Sequence, residues 1–223
     1  TIIMNMSLGI LNLTVNGHFI TRHDFIADFD STFPIRSASV IANIMGDLFI
    51  QGSGNKFDFC KQVNAPLTLT VGGNTKIAGN PNYVRLVDSG NGFLNVLNDF
   101  NLSGVTYTAI MLSPGNVART MLIVGHDLTS SASTVNFVVS NSIGIVNVGI
   151  NSNLMLNGGS MNVQANASSN AIDSISVTRS FVFNSTNPSN FFRGNSGAGN
   201  TYIHIFGDFN LMNSGTATNQ GVC

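Results

Sequence analysis

Apolar and polar residues alternate along this chain in short stretches, and the stretches recur at a nearly constant interval. Each has an aliphatic residue, two variable residues that usually include Gly, a small polar residue, and usually a large apolar one. They are Val15-Asn16-Gly17-His18-Phe19, Ile44-Met45-Gly46-Asp47-Leu48, Val71-Gly72-Gly73-Asn74-Thr75 and Val96-Leu97-Asn98-Asp99-Phe100. The series continues with Val124-Gly125-His126-Asp127-Leu128, Ile150-Asn151-Ser152-Asn153-Leu154, Val177-Thr178-Arg179-Ser180-Phe181 and Ile205-Phe206-Gly207-Asp208-Phe209. The polar residue falls at 18, 47, 74, 99, 127, 153, 180 and 208, in steps of 29, 27, 25, 28, 26, 27 and 28. A period in this range marks a solenoid, whose repeats stack because none can bury its apolar face alone.

Within each repeat the period is two. Three positions before the polar residue stand Val15, Ile44, Val71, Val96, Val124, Ile150, Val177 and Ile205; five before it stand Leu13, Ala42, Leu69, Leu94, Leu122, Val148, Ile175 and Ile203. This alternation turns one face of a strand inward, and β-branched residues suit a pleated surface. Downstream, apolar residues one and three positions on, as in Leu48/Ile50, Phe100/Leu102, Phe181/Phe183 and Phe209/Leu211, predict a second strand. The bend between the two falls at the Gly-Asp step, where Gly reaches positive φ and Asp or Asn bonds backbone. A third run follows at a looser distance: Phe57/Phe59, Val84/Leu86, Val135/Phe137/Val139 and Met161/Val163. Length variation gathers between the second and third strands and after the third, in stretches such as Ser31 to Arg36, Gly79 to Asn82 and Asn184 to Asn190. The expected fold is all-β: a three-sided parallel β-helix, or β-solenoid, of about eight coils of about 27 residues. Its hand is expected to be right, by the general preference for right-handed parallel crossovers. At ~4.8 Å per strand the rod would be ~38 Å long.

The repeat runs through residues 1–223 with no linker, so a single domain is expected. It begins inside a first strand and stops just after the eighth unit, without a capping helix or polar closing coil, which suggests a segment of a longer protein. Only 9% of residues are charged, the net charge is −1, and Glu and Trp are absent. The nine Lys and Arg are scattered, which leaves no electrostatic footprint for nucleic acid. The apolar runs are too short to cross a bilayer as a helix. Low charge with 43% apolar residues fits an extracellular β-rich protein. Cys60 and Cys223 lie six coils apart, ~29 Å along the axis, whereas a disulfide needs Cα atoms within ~7 Å. No bond between them is expected.

The polar column of His18, Asp47, Asn74, Asp99, Asp127, Asn153, Ser180 and Asp208 is the leading candidate for chemistry. Stacked oxygens suit Ca²⁺, but His18, Asn74, Asn153 and Ser180 interrupt the carboxylates. The column is expected to be a structural ladder of side chains capping backbone at the corners. Catalysis on polysaccharide would need two or three clustered acids. Asp24, Asp28 and Asp30 gather near Arg22 and His23, but no second cluster completes a site; Asp58, Asp88 and Asp173 are dispersed. His126 and His204 have no acid, Cys or His at ligand spacing, and Arg85 and Arg193 stand alone. No catalytic, cofactor or metal site is expected. Sequons at Asn5, Asn12, Asn101, Asn166 and Asn184 are close to chance in a chain this rich in Asn, Ser and Thr.

The unit Gly-Ala-Gly-Asn-Thr-Tyr-Ile-His-Ile-Phe-Gly-Asp-Phe-Asn-Leu-Met-Asn-Ser-Gly, from Gly197 to Gly215, and the stretch Leu67 to Gly79 resemble the repeats of very large secreted proteins of Bacteroidota. Those repeats have a Gly-x-Gly-Asn-Thr opening, an alternating strand, Gly-Asp/Asn-Phe and a Ser-Gly or Gly-Gly turn. Such proteins are similar in role to cell-surface and gliding-type adhesins exported by the type IX secretion system. The resemblance implies an extracellular, cell-surface location, and under it Ser31 (Asp-Ser-Thr) and Ser174 (Asp-Ser-Ile) fit the short O-glycosylation pattern of that phylum. The expected function is a non-enzymatic structural or adhesive shaft, with neighbouring coils or domains of the same long chain as partners. Surface glycans or other cell-surface proteins are the ligands its corners would meet. A carbohydrate-active β-helix, such as a polysaccharide lyase or a phage tailspike, is the alternative. Such an enzyme should carry acids and aromatics across adjacent coils, whereas Tyr83, Tyr107 and Tyr202 are far apart.

Overall fold

The computed structural model describes residues 2–6, 10–23, 25–29, 39–54, 56–58, 66–80, 83–87, 91–104, 108–112, 119–138, 145–164, 172–187, 192–195 and 199–212. Every strand pairing is parallel, and the strands stack as a β-solenoid. The first sheet takes one strand from each of the eight repeats. In order these are Ile10–Val15, Ser39–Ile44, Leu67–Val71, Gly92–Val96, Arg119–Val124, Ile145–Ile150, Ile172–Val177 and Asn200–Ile205.

Its register follows the sequence period. Val15 pairs with Ile44, Ile44 with Val71, Val71 with Val96, and so on through Val124, Ile150, Val177 and Ile205. The row from Leu13 through Ala42, Leu69, Leu94, Leu122, Val148 and Ile175 to Ile203 stacks in the same way. A pleated strand sends alternate side chains to opposite faces, so both rows enter the core together. All the inner members are buried, and only the end residues Leu13, Val15, Ile203 and Ile205 are partly open.

After the Gly-Asp bend comes the second sheet, whose inward row runs Phe19, Leu48, Thr75, Phe100, Leu128, Leu154, Phe181, Phe209. The third is built on Ile2–Met6, Phe25–Phe29, Lys56–Asp58, Tyr83–Val87, Thr108–Leu112 and Phe192–Asn195. Phe57, Val84, Val135, Met161 and Val163 bring its core face inward. Rings pack on one another toward each end of the described coils. Phe25 stacks on Phe57 at 5.3 Å and meets Phe19 edge-on at 5.2 Å, while Phe181 lies 5.0 Å from Phe192 and 5.1 Å from Phe209. The expected residues Phe59, Val139, Cys60 and Cys223, with Ser31 to Arg36, lie outside the described residues.

The structure departs from three separate strands per coil in the fifth and sixth repeats. Leu128–Val138 and Leu154–Gln164 each run unbroken for 11 residues from the second sheet into the third, joining both into a single 14-stranded sheet. The corner there is a bend inside a paired strand. Ala132 takes φ 49° and stands in line with Gly158 at φ 73° and Gly104 at φ 66°. A left-handed residue redirects the chain in one step, so pairing resumes at Ser133 with Gly159. Ala132 is the one non-glycine with positive φ among the described residues, and its Cβ makes that bend cost about 1–2 kcal/mol.

Candidate functional site: the polar column

The corner between first and second sheets repeats one bonding scheme. The residue two before the column donates its N–H to the coil before, as Met45 does to the Val15 carbonyl at 2.8 Å and Leu97 to that of Val71 at 2.9 Å. The residue just after the column donates to the coil beyond, as Phe19 does to the Asp47 carbonyl at 2.8 Å and Phe100 to that of Asp127 at 2.9 Å. At two of these corners the backbones approach so closely that glycine is needed: a Cβ on Gly125 would press into the Leu97 carbonyl oxygen, and one on Gly72 into that of Met45.

The amide of the column residue itself takes no backbone acceptor among the described residues, and column side chains accept it instead. Asp47 N donates to His18 Nδ1 at 3.0 Å, and Asn74 N to Asp47 Oδ1 at 2.6 Å. Asp99 N donates to Asn74 Oδ1 and Asp127 N to Asp99 Oδ1, both at 3.2 Å. Asn153 N donates to Asp127 Oδ1 at 2.9 Å, and Ser180 N to Asn153 Oδ1 at 3.2 Å. Each side chain thus caps the next coil, some 25–29 residues away in sequence, rather than its own corner. The six bonds bring together His18, Asp47, Asn74, Asp99, Asp127, Asn153 and Ser180 in one file. Asp208 ends it, on an exposed corner.

Charge is distributed along the file without concentrating. His18 Nδ1 lies 3.0 Å from Asp47 N and 3.1 Å from Asp47 Oδ2, and these contacts exclude each other. A neutral ring accepts the amide proton; a protonated ring donates to the carboxylate and leaves the amide without that acceptor. His126 Nδ1 lies 4.0 Å from Asp99 Oδ1 with both side chains open to solvent, a weak pair. Burial alone would raise the pKa of Asp127, but the Asn153 backbone N–H, the Ser152 and Asn153 side chains and nearby His126 together hold it below its ordinary value. Asp127 Oδ1 accepts both the backbone N–H and the side-chain amide of Asn153, at 2.9 and 3.0 Å. Asp127→Ala is therefore expected to lower stability by about 1.5 kcal/mol, and Asp127→Asn by less, in urea unfolding at pH 7. Equal stability of Asp127→Ala and the parent would show that the file does not hold the coils.

The remaining candidates stay apart. His23 closes a short turn in which the Thr21 hydroxyl donates to the His23 carbonyl at 2.7 Å. Asp24, Asp30 and Asp88 lie outside the described residues, and Asp28 and Asp58 lie in the strands Phe25–Phe29 and Lys56–Asp58 of the third sheet. Arg85 and half-buried Arg193 are on that sheet too, and His204 is on the exposed face of the first. Ser31 lies outside the described residues, and Ser174 donates its hydroxyl to Asn147 Oδ1 at 2.8 Å. Among the described residues no three His, Cys, Asp or Glu side chains converge to hold a metal ion, and no helix is long and apolar enough to cross a membrane.

Asp173, one of the dispersed acids, is not at the surface. It sits seven positions before Ser180, on the row of Leu11, Val40, Leu67, Gly92, Thr120, Val146 and Thr201, and is fully buried. Oδ1 accepts the Val146 N–H at 3.0 Å; Oδ2 has no partner among the described residues, and neither does Oγ1 of Thr201, its neighbour in register. Burial drives the Asp173 pKa up to about 6 against the pull of that single bond. Counting parity back from the column would have placed it inward. No protein-family model matches the chain, and neither a curated protein nor a solved structure shows significant similarity to it.

Proposed function

We propose that this chain is a non-enzymatic structural or adhesive shaft, a module of a large extracellular bacterial surface protein. The observation that carries this reading is the use of the polar column. Six of its side chains accept the backbone amide of the next coil, so the polar constellation that recurs in every repeat is committed to holding coils together. A ladder of this kind stiffens a rod and leaves the corner loops to bind. Resemblance of the Gly197–Gly215 unit to Bacteroidota surface repeats supplies the cell-surface setting, in which glycans or other surface proteins would be the ligands.

The purified chain should release no new reducing ends and no unsaturated sugars from a panel of polysaccharides, with or without calcium. It should retain some of those glycans on an immobilised array. Turnover that disappears in Asp24→Ala or Asp28→Ala would replace the shaft with a carbohydrate-active enzyme and make the first-repeat acids its site.

A further inference from the structure

Away from the first and last coils, every exposed large apolar side chain among the described residues lies on one side of the rod. Met45 is 64% exposed, Leu97 49%, Met121 40% and Ile172 54%, and all four stand on the outer face of the first sheet or at the bend that closes it. Half-buried Phe93 and Ile123 join them: Phe93 pairs with Met121 in register, and Ile123 lies two residues further along the same face. Polar residues surround this centre, with Thr68 and Thr70 in the third coil and Asn147 and Gly149 in the sixth. Arg119 is the one charged residue on this face among the described residues from Ser39 to Thr178. An apolar centre inside a polar rim is the anatomy of a protein interface. The side chains of Leu97, Met121 and Ile123 offer no N–H or O–H to a sugar and no charge to a nucleic acid, so the centre suits an apolar partner.

This face matches a copy of itself. A two-fold axis parallel to the strands, passing between the fourth and fifth coils, lays the fourth coil of one copy over the fifth of the other. Residues paired in register within one chain then also oppose each other across the joint, so Phe93 falls over Met121 and Ile123 over Asn95. Leu97 falls over Gly125, which follows Val124 just as Leu97 follows Val96 and has no side chain to obstruct it. Arg119 comes over the level of Asn91, so no like charges meet. The size is sufficient as well. Six coils at ~4.8 Å and strands of about six residues at ~3.3 Å make a face of roughly 29 by 20 Å. Two such faces together bury roughly 1,200 Å², where specific interfaces begin.

We propose that a second copy of this chain covers the outer face of the first sheet, the two rods lying antiparallel with Leu97, Phe93 and Met121 at the centre of the joint. The contact uses the same surface on both copies, so it closes at two. It rests on this face alone and holds whether or not the shaft is adhesive.

The test is the weight-average mass of the 223-residue chain across a wide concentration range, by sedimentation and light scattering. The parent should rise to a plateau at twice 23.6 kDa. Leu97→Lys and Leu97→Asp should each stay at one copy over the range in which the parent pairs. Mixed one to one, they should pair again, because Leu97 and its counterpart stand one coil apart across the joint and opposite charges then meet there. Mixing would not cure a variant that had merely failed to fold. Ile20→Lys, the same kind of change at a 56% exposed position on the second sheet, should pair like the parent. A parent at one copy throughout, as when residues outside the described ones or a partner of other chemistry cover the face, overturns the proposal. So does growth past two copies without a plateau, a mixture no better than its components, or an equal loss in Ile20→Lys.

Discussion

Val96→Asp is expected to lower the unfolding free energy by about 3–5 kcal/mol, because it places a carboxylate with no partner in a dry row. Val96 lies between Val71 and Val124 in register and is 0% exposed. Its side chain belongs to the same buried apolar cluster as Val71, Leu94, Phe100 and Val124. Native domains have only about 5–15 kcal/mol in hand, so the fourth coil should approach its limit. In a solenoid the loss is felt through nearest neighbours, and the rod should then unfold over a broader urea range than the parent. The control is Asn95→Asp, one residue earlier on the outward face, where the same charge should change stability by about 0.5 kcal/mol or less. Urea unfolding followed by far-ultraviolet circular dichroism reads both. Matching midpoints for the two variants would mean that the row from Val15 to Ile205 is not a dry core.

That row was legible from residue types because stacking imposes the same demand on each repeat. A position facing inward in one coil faces inward in the next, and so Val15, Ile44, Val71 and Val96 declare one another. The column of His18, Asp47, Asn74, Asp99, Asp127, Asn153, Ser180 and Asp208 was legible for the same reason, but the direction of its bonds was not. Asp and Asn in a bend ordinarily bond their own backbone, whereas here the local amides are already taken by neighbouring coils and the side chain reaches forward to Asn74 N or Asp127 N. In the fifth repeat the fusion of second and third strands was not legible because a single left-handed residue, Ala132, makes the corner, and nothing in its chemistry marks that conformation. Asp173 was missed because a carboxylate looks like a surface residue until its parity is counted.

Asp173→Asn is expected to stabilise the protein at pH 7.5 by roughly 2–3 kcal/mol and to remove most of a pH dependence the parent should show. The parent carboxyl titrates near 6 when folded and near 3.8 when unfolded, so between those values the folded state holds the proton more tightly. Its contribution to stability is whole below pH 3.8 and drains away as pH rises through about 6, because ionisation then leaves a charge on a 0% exposed side chain. At neutral pH one bond, from Val146 N–H to Oδ1, opposes that cost, and Oδ2 has no partner among the described residues, like the hydroxyl of Thr201, the neighbour in register. Asparagine keeps an oxygen for Val146, supplies an N–H in place of Oδ2 and carries no charge. The two proteins should therefore differ little near pH 4 and diverge as pH climbs toward 7.5, with the parent the less stable, when urea midpoints are compared at pH 4, 5, 6 and 7.5. Parallel curves over that interval would mean that Asp173 stays ionised in the fold, with a partner for Oδ2 supplied from outside the described residues. The linkage also places the weakness in the seventh repeat. Mild acid should strengthen the packing of Ile172–Val177 against Asn200–Ile205, the strand pair that carries the last repeat.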